Sequence, residues 1–295
     1  MKQKNINWLI ATVLFVFTWS ACDKIDEPLS LVNEQDINLD LDLPFDSVVV
    51  NHKQVLLEDF TGIKCQNCPT AAINAHILAE EKDHHLIIYS VHAGYYAEPN
   101  DSEPYNSDFR CETGNEIYNS FPISGWPAGT VNRVEYEDNI ILSGGDWEAA
   151  VNVELEKENV IDMTLKSYYD SDKNEVIVLV ASTFLQQLEG KYNLVVLIVE
   201  DHILSWQKNS NPEIGPSMDW ENYDQRNVLR DGLSSTFGNY FTNDGTIVSG
   251  ETYKTPFSYT LNDDWVSGNC NIISYIIHEE TGEILQVAEI GVVGE

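Results

Sequence analysis

Two cysteines separated by two residues constrain this chain most. The motif Cys65-Gln66-Asn67-Cys68-Pro69 follows an apolar run at residues 55–60 and precedes a helical pattern. Backbone N–H groups at a helix start stabilise a thiolate, so we expect Cys65 to be the nucleophile and Cys68 the resolving thiol. Pro69 suits the first helical turn, where its missing N–H would have no intrahelical partner. The motif predicts a strand, a turn and a helix that carry a redox-active pair.

Apolar periodicity divides the rest of the chain into two halves. Up to about residue 158, strands and helices alternate, whereas beyond residue 160 helical periodicity largely disappears. The first half is predicted to hold strands at 55–60, 86–91, 130–134 and 139–142, and helices at 70–82, 112–120 and 146–157. The second half is predicted to hold strands at 161–169, 175–184, 192–200, 252–261, 271–278 and 284–292. Residues 205–226 are predicted to be irregular, either as a functional loop or packed over the end of the second half. This pattern predicts an α+β fold of two domains, the second an antiparallel, immunoglobulin-like β-sandwich.

Residues 1–21 have the composition of a signal peptide. Lys2 and Lys4 precede an apolar run at residues 6–19, which is shorter than the roughly 20 residues of a spanning helix. The segment resembles a lipoprotein signal, which implies cleavage before Cys22 and diacylation of its sulfur, for example with palmitate. An ordinary secretory cut with an incidental Cys22 is the alternative. A lipid on Cys22 leaves four of the five cysteines, an even set that suits an oxidising compartment.

The chain is strongly acidic, with a formal net charge of −32. A nucleic-acid partner is disfavoured, because phosphate backbones need a cluster of Lys and Arg that the sequence does not contain. Anionic headgroups would repel the same surface, so we expect the lipid to hold the protein to the membrane. We therefore divide the chain into a signal peptide (1–21), an acidic tether (22–47), an α/β domain (48–158) and a β-sandwich domain (159–295).

The α/β half resembles the thioredoxin superfamily. The resemblance rests on the CxxC motif, on Asp59 six residues before Cys65, and on Gly125-Trp126-Pro127-Ala128 before a predicted strand. It implies that Asp59 is a buried general base for Cys68, with a pKa that burial raises towards neutral pH. It also implies that Pro127 lies in a cis-proline loop that receives the backbone of a substrate.

Several residues around these landmarks depart from the superfamily pattern. Lys64 stands where an aromatic residue is usual, and it either lowers the pKa of Cys65 or is a solvated surface charge. Trp126 stands where a small or β-branched residue is usual. Residues 93–110 form an insertion that contains Tyr95 and Tyr96, and we interpret it as a candidate lid. Lys64, Trp126, Tyr95 and Tyr96 are therefore candidate substrate-facing residues.

The two remaining cysteines, Cys111 and Cys270, lie in different halves. The sequence leaves open an interdomain disulfide, two free thiols, or a role for Cys111 in resolving mixed disulfides. A metal site at Cys65 and Cys68 would need further ligands, and neither a second CxxC nor a paired histidine spacing occurs in the sequence. We therefore predict no metal site and no cofactor.

A wider set of motifs resembles one family along most of the chain. The motifs are Glu58-Asp59-Phe60-Thr61-Gly62 before CxxCP, Ser90-Val91-His92-Ala93-Gly94, Gly125-Trp126-Pro127-Ala128-Gly129 with Asn132-Arg133, and Tyr223 with Val228-Leu229-Arg230. They resemble the Bacteroidota outer-membrane lipoproteins named after a twenty-eight-kilodalton outer membrane protein. The resemblance implies a thioredoxin-like domain joined to a β-sandwich, in a lipoprotein on the cell surface or on the periplasmic face of the outer membrane. The family has no settled biochemical activity.

Three functional hypotheses follow. In the first, the protein is a thiol–disulfide oxidoreductase of the cell envelope: Cys65 attacks a protein or peptide partner, Cys68 resolves, Asp59 relays a proton and Pro127 positions the partner. In the second, it is a noncatalytic surface lipoprotein, an accessory or binding subunit beside an outer-membrane transporter, and the CxxC is a structural disulfide. In the third, its role is purely architectural.

Overall fold

The computed structural model describes residues 43–242 and 245–294. Within these ranges it contains three α-helices and fourteen strands, so the predicted mixed α+β class is confirmed. The helices are α1 (Cys68–Glu81), α2 (Glu112–Asn119) and α3 (Trp147–Leu155). The strands are β1 (Asp46–Val50), β2 (Val55–Thr61), β3 (Leu86–His92), β4 (Ala128–Val131), β5 (Ile161–Asp170), β6 (Glu175–Phe184), β7 (Tyr192–Glu200), β8 (Ile203–Asn209), β9 (Met218–Gln225), β10 (Val228–Gly232), β11 (Asn239–Tyr240), β12 (Thr252–Thr260), β13 (Cys270–His278) and β14 (Ile284–Gly291). The predicted signal peptide, Cys22 and most of the tether lie outside the described residues.

One large sheet contains strands from both halves of the chain. Its order is β14-β13-β7-β10-β3-β2-β4, and β11 pairs with β7 beside this path. Strands β2 and β3 are parallel, and β10 joins the halves because it lies parallel to β3 and antiparallel to β7. Strands β2 and β3 are buried along their whole length, which explains their almost unbroken apolar sequence. The large sheet therefore contains strands from both sides of the domain boundary predicted at residue 158.

A second sheet has the order β1-β5-β6-β12, and all its strands are antiparallel. Alternate residues of β5 and β6 are buried, as expected for strands with one face on a core. Met163 and Val178 from this sheet share one apolar core with Val196, Ile272 and Ile290 of the large sheet. Strand β1 begins at Asp46, so the last residues assigned to the tether already belong to this sheet.

The helices cover both faces of the β2–β4 region. Leu57 of β2 packs with α1 and α3 through Ala71 and Trp147, whereas Phe60 packs with Ile117 of α2. This division follows from the alternation of side chains along a strand, which sends residues 57 and 60 to opposite faces. Neither α1, the longest of the helices described, nor the two shorter ones are long and apolar enough to cross a membrane.

The prediction that residues 205–226 are irregular is wrong, because β8 and β9 form a hairpin there. Every second side chain of β8 from residue 205 onwards is buried, namely those of Ser205, Gln207 and Asn209. Because these inward residues are polar, the strand has no alternation of apolar and polar residues from which it could have been predicted.

The predicted strand at 139–142 is also wrong, because only isolated bridges occur there, such as the one between Gly129 and Leu142. The preceding strand β4 ends at Val131, ahead of left-handed backbone at Asn132 and Arg133 with φ of 48° and 53°. Left-handed residues cannot continue a pleated strand.

Candidate functional site

The Cys65–Cys68 pair forms a disulfide at the start of α1. Cys65 lies in the turn after β2, where its N–H donates to Gly62 O at 2.9 Å, and Cys68 is the first residue of the helix. The two cysteines are only 3% and 2% exposed. The motif therefore has the predicted strand, turn and helix, but both cysteines are covered.

The β8–β9 hairpin is one of the segments that bury the CxxC turn. The Gln207 side-chain amide donates to Cys65 O at 3.0 Å and to Gly62 O at 3.3 Å. Gln225 on the partner strand donates to Gln207 Oε1 at 3.1 Å and so fixes the orientation of this amide. Gln207 is 2% exposed, so its hydrogen bonds are shielded from water.

Backbone hydrogen bonds also join the hairpin to the CxxC turn. The N–H of Lys208 donates to Ile63 O at 2.9 Å, and the N–H of Ser210 donates to Gln66 O at 2.8 Å. The Ser210 hydroxyl donates to Asn67 Oδ1 at 2.8 Å. Nothing in the sequence pattern indicated these contacts, which join residues more than 140 positions apart.

The insertion at residues 93–110 packs on another side of the turn. A short 3₁₀ helix, Tyr95–Ala97, begins it, and Tyr96 O accepts the N–H of Lys64 at 3.0 Å. Gly62 lies against the backbone of Tyr96, and a Cβ atom at position 62 would overlap that backbone. The Lys64 ammonium donates to Asn100 Oδ1 at 3.0 Å. The structure thus brings Lys64 and Tyr96 together through backbone contacts, whereas Tyr95 is 71% exposed.

The predicted proline loop precedes β4, and its Trp126–Pro127 peptide bond is cis. The Trp126 ring stacks on Tyr118, with centroids 6.0 Å apart and planes at 17°. It also contacts Tyr96 edge to face at 5.2 Å. Trp126 is therefore held in an aromatic cluster that connects the loop to α2 and to the insertion.

Asp59 is buried as the resemblance implied, at 1% exposure. Its Oδ1 has no hydrogen-bond partner among the described residues. Burial raises the pKa of Asp59 from 3.8 to about 7, because the charged carboxylate is poorly solvated there. Tyr223 of β9 is 8% exposed, and burial and the charge of Asp59 raise its pKa.

Asp59 and Cys68 line a cleft of about 280 Å³ between α1 and the hairpin. The other residues of its wall are Thr61, Pro69, Ala72, Ile73, His76, Ile77, Glu80, Ser90, Gln207, Trp220, Tyr223, Asp224, Gln225 and Arg226. The sequence pattern did not predict this cleft, because one wall is the hairpin.

The neighbouring acid, Glu58, faces the opposite side of the sheet and is ion-paired. Arg133 donates to its two oxygens at 2.7 and 2.6 Å, Thr130 donates at 2.5 Å, and Tyr89 donates as well. Burial by itself would raise the pKa of Glu58, but the charge and hydrogen bonds of Arg133 lower it below its usual range. Adjacent carboxyl groups thus have different environments: Glu58 is paired and ionised, and Asp59 is not paired.

Cys111 and Cys270 are free thiols, so the interdomain disulfide we considered is absent from the structure. The Cys111 sulfur accepts the N–H of Gly114 at 3.2 Å and thereby caps α2. Burial raises the pKa of Cys111 to about 11 and that of Cys270 to about 12. Both thiols stay protonated at neutral pH, which argues against Cys111 as a resolving nucleophile.

A family model described as "Outer membrane protein Omp28" matches residues 114–294, more than half of the chain. The chain belongs to the Omp28 family. The predicted family and the predicted location at the outer membrane are confirmed by this match. The matched region begins after the CxxC motif, inside α2, and contains β4 to β14 with the β8–β9 hairpin, but not β1, β2 or β3. A comparison with curated proteins found no match.

Three solved structures resemble this chain to different extents. HBP35 of Porphyromonas gingivalis aligns with a TM-score of 0.59 at 15% identity, over 82% of this chain and 76% of that one. A protein from Agrobacterium tumefaciens has a TM-score of 0.49 at 10% identity, over 83% and 97% of the two chains. A domain of the outer membrane lipoprotein Omp28 from P. gingivalis has a TM-score of 0.30 at 15% identity, over 46% and 90%. The likeness to HBP35 is one of fold.

Proposed function

We propose that this Omp28-family protein is a noncatalytic outer-membrane lipoprotein that acts as a binding or accessory subunit, and that its Cys65–Cys68 disulfide is a structural bridge. The observation that carries the proposal is the cover over the CxxC turn. The cysteines are at most 3% exposed, and Gln207, Lys208 and Ser210 hydrogen-bond the turn to a hairpin.

Burial of the disulfide matters because exchange begins when a thiolate attacks one sulfur through a mixed-disulfide intermediate. A protein thiolate therefore needs access to Cys65, and the hairpin and the Tyr95–Ala97 segment both pack on the turn that carries it. Opening the hairpin would break the Gln207 hydrogen bonds to the turn together with the backbone hydrogen bonds from Lys208 and Ser210. The cover therefore favours a bridge that remains closed.

For the architecture, we propose a thioredoxin-like unit within residues 48–158 and an immunoglobulin-like β-sandwich within residues 159–295, to which β1 (Asp46–Val50) adds an edge strand. The parallel β2–β3 pair joined through α1, together with the antiparallel pairing of β4 with β2, supports the first unit. The apolar core between the four-stranded sheet and β7, β13 and β14 supports the second. The two units would share the large sheet through β10.

For attachment, we propose that residues 1–21 are removed and that Cys22 carries the lipid. The basic start, the short apolar run and the small residues before Cys22 support this assignment. Labelled palmitate should be incorporated into the wild type and not into Cys22→Ala. Equal labelling of both proteins would contradict the lipid site.

The test of the structural bridge is the reduction potential of the Cys65–Cys68 pair. We expect a value below about −300 mV, typical of structural disulfides, and no reduction of insulin. The double variant Cys65→Ser/Cys68→Ser is the matched control, since it retains the free thiols Cys111 and Cys270. A potential between about −120 and −270 mV, with insulin reduction that the double variant lacks, would overturn the proposal.

Thiol–disulfide exchange with a protein partner is the second candidate, and Asp59 is the observation that favours it. Its pKa of about 7 would let it take up and release the proton of the Cys68 thiol near neutral pH. Exchange would require the hairpin to move, so its activity should rise in Gln207→Ala. An unchanged absence of activity in Gln207→Ala supports the structural bridge instead.

A further inference from the structure

The cleft between α1 and the β8–β9 hairpin combines buried polar and apolar walls. Asp59 and Ser90, which are opposite each other in the β2–β3 register, form its polar side. Ile73 and Ile77 of α1 contribute an apolar wall, and Tyr223 contributes an aromatic one. Sites for small organic molecules commonly have this composition, with an apolar lining and a few polar groups that fix orientation.

Among the described residues, two carboxylates of this cleft have a buried oxygen without a hydrogen bond, and because Asp224 is paired with Arg226, the one that lacks a cation is Asp59. It is 1% exposed, and its Oδ1 accepts no hydrogen bond within residues 43–242 and 245–294. A buried acceptor without a donor is costly, and a buried carboxylate without a cation is more so. A group that donates hydrogen bonds and carries positive charge would remove both costs.

The charged groups around the cleft leave Asp59 without a cation of its own. The Arg226 guanidinium donates from Nε to Asp224 Oδ2 at 3.0 Å, so its charge is compensated within the hairpin. Burial, followed by the charge of Arg226, lowers the pKa of His76, which keeps this imidazole neutral. Glu80 adds a further carboxylate to the wall. The balance of charge is therefore negative.

We propose that this cleft binds a small organic ammonium ion, with the charged nitrogen paired to Asp59 and the apolar body held between α1 and the hairpin. This assignment rests on the proposed binding role, since it gives that role a ligand. A neutral hydroxyl would satisfy the Asp59 oxygen as an acceptor but would leave the carboxylate charge uncompensated. An ammonium group satisfies both.

The aromatic residues of the hairpin fit the same ligand. Trp220 and Tyr223 meet edge to face, with centroids 5.0 Å apart, and both line the cleft. Aromatic faces attract organic cations and also accommodate an apolar body. At about 280 Å³ the cleft has room for a small ligand rather than a folded partner. The nitrogen is supplied either by a free amine or by the lysine side chain of a peptide.

Isothermal titration calorimetry at pH 8, where the Asp59 carboxyl is ionised, on the oxidised full-length protein in nonionic detergent tests the assignment. The probes are 2-phenylethylamine, its neutral analogue 2-phenylethanol and the anion phenylacetate. We expect the amine to bind at least ten times more tightly than either analogue. Capped N-acetyl-lysine methylamide tests the second source of the ammonium group, and tighter binding of this probe than of the amine would identify a peptide ligand.

Asp59→Asn should lose at least ten-fold in affinity for the amine, because the amide keeps the size of the side chain but removes its charge. The matched control is Asp172→Asn, an exposed change in the β5–β6 turn, which should retain the wild-type affinity. Equal binding of amine and alcohol, an unchanged Asp59→Asn affinity, or no binding of either ammonium probe would overturn the proposal.

This experiment is separate from the test of the structural bridge. The titrations contain no thiol reagent and leave the disulfide oxidised, so they report on the cleft alone. A reduction potential typical of a catalyst would overturn the noncatalytic role and leave the amine titration unchanged. Conversely, failure of amine binding would remove the ligand while the potential of Cys65–Cys68 stayed low.

Discussion

Replacing Asp59 with Asn should remove a loss of stability that the wild-type protein undergoes as the pH rises from 5 to 8. Asp59 is buried at 1% exposure, and burial raises its pKa from 3.8 to about 7. Between these two pH values the folded protein holds a proton that the unfolded chain has released. The free energy of unfolding therefore falls as pH rises through this window.

The magnitude follows from the size of the pKa shift. Each pH unit within the window lowers the free energy of unfolding by about 1.4 kcal/mol, and the slope disappears once the folded carboxyl ionises near pH 7. From pH 5 to pH 8 the Asp59 contribution is therefore about 2.5 kcal/mol of lost stability. Asn cannot ionise, so Asp59→Asn should avoid this loss.

Urea denaturation at pH 5, 6, 7 and 8 would measure the effect. The relevant quantity is the difference in unfolding free energy between variant and wild type, because other acids with shifted pKa values, such as Glu289, then cancel. Both proteins must keep the Cys65–Cys68 disulfide oxidised throughout. We expect the difference to grow in favour of Asp59→Asn by about 2.5 kcal/mol between pH 5 and pH 8.

Parallel pH profiles for the two proteins would refute this reasoning. They would mean that Asp59 has the same pKa in the folded and unfolded chains, and therefore that its carboxylate is paired or solvated in the folded protein.

Three further outcomes are expected. Arg133→Met leaves the Glu58 carboxylate buried without its partner and should lower the unfolding free energy by about 3–5 kcal/mol in urea titrations. A loss below about 1 kcal/mol would mean that Glu58 is protonated or reached by water. Cys65→Ala/Cys68→Ala opens a short loop and should lower the unfolding free energy by about 2 kcal/mol in the same titrations. A variant as stable as the wild type would show that the disulfide has no stabilising role. Gln207→Ala removes two hydrogen bonds from the CxxC turn and should speed reduction of the disulfide by a phosphine at least several-fold. Mass spectrometry of the alkylated protein measures this rate. An unchanged rate would show that the hairpin does not control access to the disulfide.

Much of the fold could be predicted because it depends on local apolar patterns. Strands β6 and β7 were predicted with the observed bounds, since β6 contains an apolar run at residues 176–181 and β7 one at residues 194–199. The CxxC motif predicted its own local structure, because Cys68-Pro69 can start a helix after the turn that follows β2. The burial of Asp59 was implied by the resemblance to the thioredoxin superfamily, and the residue is buried in β2.

The tertiary structure decided what surrounds the motif. The hairpin that covers Cys65 has buried polar residues such as Gln207 and Gln225, whose stability depends on hydrogen bonds to partners distant in sequence rather than on apolar periodicity. The aromatic contacts of Trp126 and the free state of Cys111 likewise depend on long-range packing.

The sequence by itself thus determined that a CxxC follows a buried strand and starts a helix, because these features arise from residues a few positions apart. Whether the resulting disulfide is open to a partner was decided by β8 and β9, about 140 residues later in the chain. The same hairpin makes the cleft over Asp59. Local patterns report which side chains are buried, but the groups that bury them are known only when the chain has folded.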